Sequence, residues 1–337
     1  MSAAPTTQVS LLERVERIEA GAPVVAAAFL GEAPALALGD GTVLLGGTRV
    51  GAHADGAILC ARADGARFVT GGDDGRVVAT FADGATRELA REAGWIDALA
   101  LGPDGALGYA RGKTVHARQN AGSGAGPGAG EAKTWEAPSS VRGLAFLPKG
   151  HRLAIAHYGG ATLWFPNVAG APKMLAWKGA HIDATVSADG RFLVTSMQEN
   201  ALHGWRIADG RDMRMTGYPA KTRSFSWSHD GRWLATSGAE ACVVWPFADK
   251  DGPMGKAPRE LGVRAARVTA CAFHPKAPVL AIGYADGFVL LARFADGSEL
   301  AVRREDGEAI SALAWDGAGN RLLIGGADGA AGLLSLP

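Results

Sequence analysis

A few groupings of reactive residue types stand out in this 337-residue chain. Gly112-Lys113-Thr114 has the ending of a phosphate-binding loop. That loop also needs a glycine five positions earlier, where Leu107 stands, and a strand leading into a helix. Here the tripeptide lies between two short β-prone runs and reads as a hairpin turn. His181, Asp183 and Ser187 are the residue types of a hydrolytic triad, but no Gly-x-Ser-x-Gly elbow occurs to present a nucleophile. His116, His151, His157 and His203 stand singly, without metal-ligand spacing. Cys60, Cys242 and Cys271 are odd in number, lie in apolar runs and form no Cys-x-x-Cys pair. They are expected to be buried free thiols of a reducing compartment. These residues therefore predict no catalytic, metal or cofactor site, and a protein that is not an enzyme.

The commonest motif is Asp-Gly. Aspartates can bind calcium, but these are spread along the chain and do not cluster as a calcium loop would require. An Asp-Gly pair does suit the positive φ of a tight hairpin. Residues 222–247 show what the turns punctuate. Ser224 to Trp227, Trp233 to Thr236 and Cys242 to Trp245 are three short β-prone runs, the first two separated by His229-Asp230-Gly231. One such unit cannot bury both its faces, so it needs neighbours.

Neighbours recur. Comparable units start at Val24, Ala57, Ile96, Val141, Ile182, Thr222, Val268 and Ile310, about 41 residues apart on average, within the ~40–45 period of four-stranded propeller blades. A fourth, more polar run follows most of them, as at Arg87 to Ala90 and Glu299 to Arg303. The last unit lacks one, and Val9 to Ile18 is a spare run ahead of the first. Pairing the two would leave no dangling edge, which favours a strand over a helix there. The expected fold is all-β: a single closed β-propeller over residues 9–337, eight blades favoured and seven the alternative. The N-terminal strand would join the last blade, residues 1–8 would form a flexible N-terminus, and 121–130 and 249–258 would be flexible loops. The 48 glycines agree with many tight turns.

From about residue 20 onward the chain resembles the WD40-repeat family. Pro103-Asp104-Gly105, Ala188-Asp189-Gly190 and His229-Asp230-Gly231 match its first turn. Asp40-Gly41, Asp74-Gly75, Asp286-Gly287 and Asp328-Gly329 match its second, and Trp164, Trp205 and Trp245 its tryptophan position. The Trp-Asp dipeptide itself is absent from that slot, and only His53 and His181 hold the pre-strand histidine. The family's His–Ser/Thr–Asp–Trp hydrogen-bond set comes nearest to completion as His181, Thr195, Glu199 and Trp205.

The resemblance implies that each unit's first strand lines a central channel, with its second residue near the upper mouth. Those residues are Val25, Ile58, Asp97, Arg142, Asp183, Arg223, Thr269 and Ser311. Asp, Arg, Asp, Arg would alternate around part of the rim, with Trp95 beside it. Such a set can be a self-neutralising ring of ion pairs or a surface that receives a partner's carboxylates. Trp95, Asp97, Arg142, Asp183, Arg223, Thr269 and Ser311 are the candidate partner-binding residues. The expected function is a non-catalytic scaffold docking a protein or peptide on the upper face; a propeller using its channel for a ligand or reaction is the alternative.

A formal net charge of zero gives no basic patch for nucleic acid. The N-terminus has no basic and apolar leader pattern, and no apolar stretch is long enough to span a membrane. A cytoplasmic, monomeric propeller is the default, and the Ala/Gly/Arg-rich composition suggests a bacterial source.

Overall fold

The computed structural model describes residues 10–119 and 132–336, so the expectations for residues 1–8 and 121–130 fall outside the described residues. Short alternating runs bounded by turn residues form strands throughout. A 3-10 turn over Leu11–Arg14 precedes β1 (Val15–Glu19), so the spare N-terminal run is a strand only in its second half. Ser10 caps that turn, its hydroxyl accepting from the Leu12 amide.

Four antiparallel strands follow for most of the sequence units. The first unit has β2 (Val24–Leu30), β3 (Ala33–Leu38), β4 (Thr42–Leu45) and β5 (Thr48–Gly51). The second has β6 (Ile58–Ala63), β7 (Arg67–Gly72), β8 (Arg76–Phe81) and β9 (Thr86–Arg91). The third has β10 (Ala98–Leu101), β11 (Leu107–Arg111), β12 (Thr114–Arg118) and β13 (Lys133–Glu136). Then come β14 (Gly143–Phe146) and two long strands, β15 (Leu153–Trp164) and β16 (Lys173–Val186), followed by β17 (Phe192–Met197), β18 (Leu202–Arg206) and β19 (Asp212–Met215). The sixth unit has β20 (Phe225–Trp227), β21 (Trp233–Thr236), β22 (Cys242–Pro246) and β23 (Arg259–Leu261). The seventh has β24 (Val268–Phe273), β25 (Val279–Tyr284), β26 (Val289–Arg293) and β27 (Glu299–Arg303), and the last β28 (Ile310–Trp315), β29 (Arg321–Gly326) and β30 (Ala330–Ser335).

The described strands make seven sheets in a propeller arrangement, which corrects the expectation of eight separate blades. The reason lies in β15 and β16. The start of β15 pairs with β14 and its end with the start of β16, whose own end pairs with β17. The fourth and fifth sequence units thus share one six-stranded sheet. At the other end of the chain, β1 pairs antiparallel with β30, Val15 opposite Leu334 and Glu19 opposite Ala330.

Successive units pack through apolar layers. Phe146, Leu153 and Val115 fill the layer between the third and fourth, and Leu280, Ile282 and Val244 that between the sixth and seventh. Val24, Leu36 and Leu38 of the first unit meet Leu323 and Ala331 of the last. Apolar burial at about 25 cal/mol per Å² is the main stabilising term for such a stack. Two glycines permit the close approach. A Cβ on Gly325 would lie 2.5 Å from Val24 Cγ1, and one on Gly143 would lie 2.5 Å from the Asp183 Cα. A side chain at either would push neighbouring units apart.

Inner strands are also stitched by hydrogen bonds. The Ser311 hydroxyl donates to the Val24 carbonyl (2.7 Å), the Thr269 hydroxyl to the Ile310 carbonyl (2.6 Å), and the Trp227 indole to Thr185 Oγ1 (2.9 Å). Residues 249–258 form successive turns tied to the fifth unit by Arg206, 2.7 Å from Asp251.

Candidate functional site

Strand order fixes which end each connection occupies. Antiparallel strands place the links between the second and third strands, and those from the fourth strand to the next unit, at one end; the remaining links lie at the other. Trp95, between β9 and β10, and Arg223, between β19 and β20, therefore share an end. β15 folds back at Gly159-Gly160, where His157 Nε2 meets Thr162 Oγ1 at 2.9 Å, so its second half acts as a third strand and Val168, which follows it, lies at the opposite end. Trp95 and Val168 are each 65% exposed.

A bulge near the start of the inner strand sets the rim register. In the first, second, fifth, seventh and last units the pairing skips one residue: Val25, Leu59, Ile182, Thr269 and Ser311 respectively. This corrects the rim reading at two places. In the second unit the equivalent position is Leu59 and not Ile58. In the fifth it is Ile182, so Asp183 stands one residue further along, in register with Cys60. Asp97, Arg142, Asp183 and Arg223 are thus not a single equivalent ring.

The structure divides the candidates into three kinds. Arg142 is ion-paired with Asp97 of the preceding unit while remaining 58% exposed. Burial pushes the Asp97 carboxyl up, against the opposing pull of Arg142. Asp183 is pushed up by burial as well, and Arg62 Nη2 lies 3.8 Å from its Oδ1. Arg62 was missed by the sequence reading, because it sits at the far end of β6 and no repeat pattern marks it. Thr269 and Ser311 have turned their hydroxyls onto neighbouring backbone carbonyls, as described above. The Arg223 side chain has no carboxylate partner among the described residues.

The other groupings resolve into structure. Gly112 has a φ of +57° in the turn between β11 and β12, so Gly112-Lys113-Thr114 is a hairpin. His181, Asp183 and Ser187 bond apart: His181 Nδ1 to Thr195 Oγ1 at 2.7 Å, Asp183 Oδ1 to the Ala184 amide, and Ser187 to Asp189. Among the described residues no cluster of three or more His, Cys, Asp or Glu could hold a metal. Burial raises the Cys60 thiol to about 12 and holds Cys242 well above the usual thiol range.

The internal hydrogen-bond set differs in place from the sequence reading. In the fifth unit Glu199 accepts from the Ala180 amide, and His181 Nε2 contacts the Trp177 carbonyl, so Glu199 does not complete the set. The second unit does join three members: His53 Nδ1 lies 2.9 Å from Asp74 Oδ1, and His53 Nε2 lies 2.9 Å from Thr70 Oγ1. In the sixth unit tyrosine takes the histidine's part. Trp245 Nε1 donates to Tyr218 Oη (2.7 Å), which lies 2.6 Å from Thr236 Oγ1, and Thr236 donates on to the Val243 carbonyl.

No family model matches the sequence. An 82-residue stretch, 23% of the chain, is 35% identical to WD repeat-containing protein 1-A of Xenopus laevis. The same share and identity hold for WD repeat-containing protein 1-B of that species and for WD repeat-containing protein 1 of Xenopus tropicalis. In that stretch the chain is similar to WD-repeat proteins. The match spans 14% of the length of those relatives. The fold is similar to that of the computationally designed Ika8 protein, whose crystal structure superimposes with a TM-score of 0.74 at 18% identity, over 95% of this chain and 98% of that one. At that identity the likeness speaks for fold alone. No helix among the described residues is long and apolar enough to cross a membrane.

Proposed function

We propose that this chain is a WD40-repeat propeller acting as a non-catalytic scaffold that docks a protein or peptide on the face bearing Trp95, Arg142 and Arg223. The observation that carries this is Trp95, a large indole left 65% exposed two residues before Asp97 and its partner Arg142. Tryptophan and arginine are the side chains that most often dominate binding energy at interfaces. Exposed ion pairs contribute only about 0–1 kcal/mol to stability, so the Arg142–Asp97 pair is poorly explained as a staple alone. In this reading the ring is closed by β1, so that the face is rigid and binding orders little of the scaffold. The protein is a cytoplasmic monomer whose partner supplies an acidic and apolar segment.

The test is capture on tagged wild type and on a Trp95→Ala, Arg142→Glu variant with the same circular dichroism and melting temperature. Loss of a defined partner in the variant supports the reading. Equal capture places binding elsewhere. Retention of a small molecule by wild type, with no protein captured, favours the channel around Cys60, Arg62 and Asp183 as a ligand site.

A further inference from the structure

Beside the sixth and seventh units, at the end that bears Trp95, lies a cavity of about 470 Å³ with Lys221, Arg223 and Arg267 in its wall. No carboxylate lines it, and none of the three cations has an ion-pair partner among the described residues. That is unlike the surroundings. Three residues before Arg267, Arg264 takes up the nearby acids, lying 3.4 Å from Asp286 and 2.5 Å from Glu305. On the same end of the molecule, Arg142 faces an aspartate.

The wall also holds a buried donor. Ser237 is 1% exposed, and its hydroxyl oxygen accepts from the amides of Arg223 and Ser224, both at 3.1 Å. Both acceptor sites of that oxygen are thereby used, and its own hydrogen has no acceptor among the described residues. The Thr222 hydroxyl donates to the Ser237 carbonyl at 2.9 Å and fixes this corner. A buried donor without an acceptor costs free energy that a ligand oxygen would recover.

We propose that this cavity is a binding site for a phosphate-class oxyanion. Two guanidinium groups and an ammonium offer charge-assisted donors from separate connections, and the serine hydroxyl adds a neutral one. A single carboxylate would leave most of the positive charge unbalanced, whereas a dianionic phosphate monoester balances two of the three cations. The site shares Arg223 with the proposed docking face but does not depend on docking around Trp95. Its ligand is a phosphorylated side chain of a partner or a free phosphate ester.

The experiment is calorimetric titration of the full chain with inorganic phosphate against sodium chloride of equal ionic strength. An Arg223→Gln, Arg267→Gln variant and a Ser237→Ala variant are run in parallel, each checked for unchanged melting in the absence of phosphate. Saturable phosphate binding to wild type, weakened tenfold or more in the double variant, is the expected result. If the double variant melts early, single Arg267→Gln, at an exposed position, replaces it and is expected to weaken binding severalfold. No saturable binding, or equal binding by wild type and variant, overturns the proposal. A phosphoserine peptide and its serine parent separate the sources: tighter binding of the phosphopeptide than of inorganic phosphate, with none by the parent, assigns a phosphorylated partner, and no such gain assigns a free phosphate ester. Because Trp95 and Arg142 are untouched, failure here leaves the docking reading intact, and the reverse holds too.

Discussion

Arg62 of the second unit reaches Asp183 of the fifth, its Nη2 lying 3.8 Å from the carboxylate Oδ1. The two units are not neighbours in the chain, so this contact joins separate parts of the inner wall. It also accounts for the charge of an aspartate that burial makes harder to ionise. Replacing Arg62 by Met should destabilise the protein at pH 7 by up to about 1 kcal/mol, the range of an ion pair with one partner half exposed. A carboxyl whose folded pKa is raised is most at ease protonated. The loss should therefore shrink as the pH falls to about 4, which urea unfolding at the two pH values would show. An equal loss at both would mean that Arg62 acts through packing alone.

His203 gives the opposite pH dependence. It is fully buried, its ring stacked on Trp177 with centroids 3.9 Å apart, and burial lowers its pKa to about 3, with His181 and Arg214 adding to the effect. The unfolded chain binds the proton at about 6.5 and the folded chain only near 3. Stability should be complete above pH 6.5 and fall as the pH drops toward 3. His203→Phe keeps the stack and should flatten that slope in melting temperatures measured from pH 7 to pH 4. An unchanged slope would assign the acid sensitivity to other groups.

The bonded chain Trp245–Tyr218–Thr236–Val243 should be cooperative. Thr236→Val removes its middle and should cost about 1–3 kcal/mol. Tyr218→Phe should add little once Thr236 is gone, because the two share one network. Denaturant unfolding of both single variants and the double variant measures this, and strictly additive losses would show that the links are independent.

The cysteines should be slow to alkylate. Cys60 is raised to about 12 and donates to the Ile96 carbonyl, while Cys242 and Cys271 are buried. Thiolate is the reactive form, so iodoacetamide at pH 8 should label native protein far more slowly than protein in urea. Rapid labelling of native Cys60 would contradict the burial assigned to it.

The repeat period and the Asp-Gly turns made the propeller legible, since hairpin geometry and apolar alternation are local properties of the chain. Register across the bulge was not legible. Asp183 was read one residue out of place because nothing in the residue types of His181, Ile182 and Asp183 marks the skipped position. The merging of two units by β16 escaped notice because Lys178 to His181 resemble a connection and continue as strand. Tyr218 escaped because a phenol can take an imidazole's part in the hydrogen-bond set. Lys221 and Arg267 lie in connections, where no periodicity marks a side chain, and they meet only once neighbouring units pack.

The most direct test of the docking reading places a photo-crosslinking residue at position 95, with position 168 at the opposite end as the control. Both sites are equally exposed in the native protein. Crosslinks from position 95 to the partner retained by wild type, with none from position 168, are the predicted result. Crosslinks from position 168 alone, or equally from both, would contradict it.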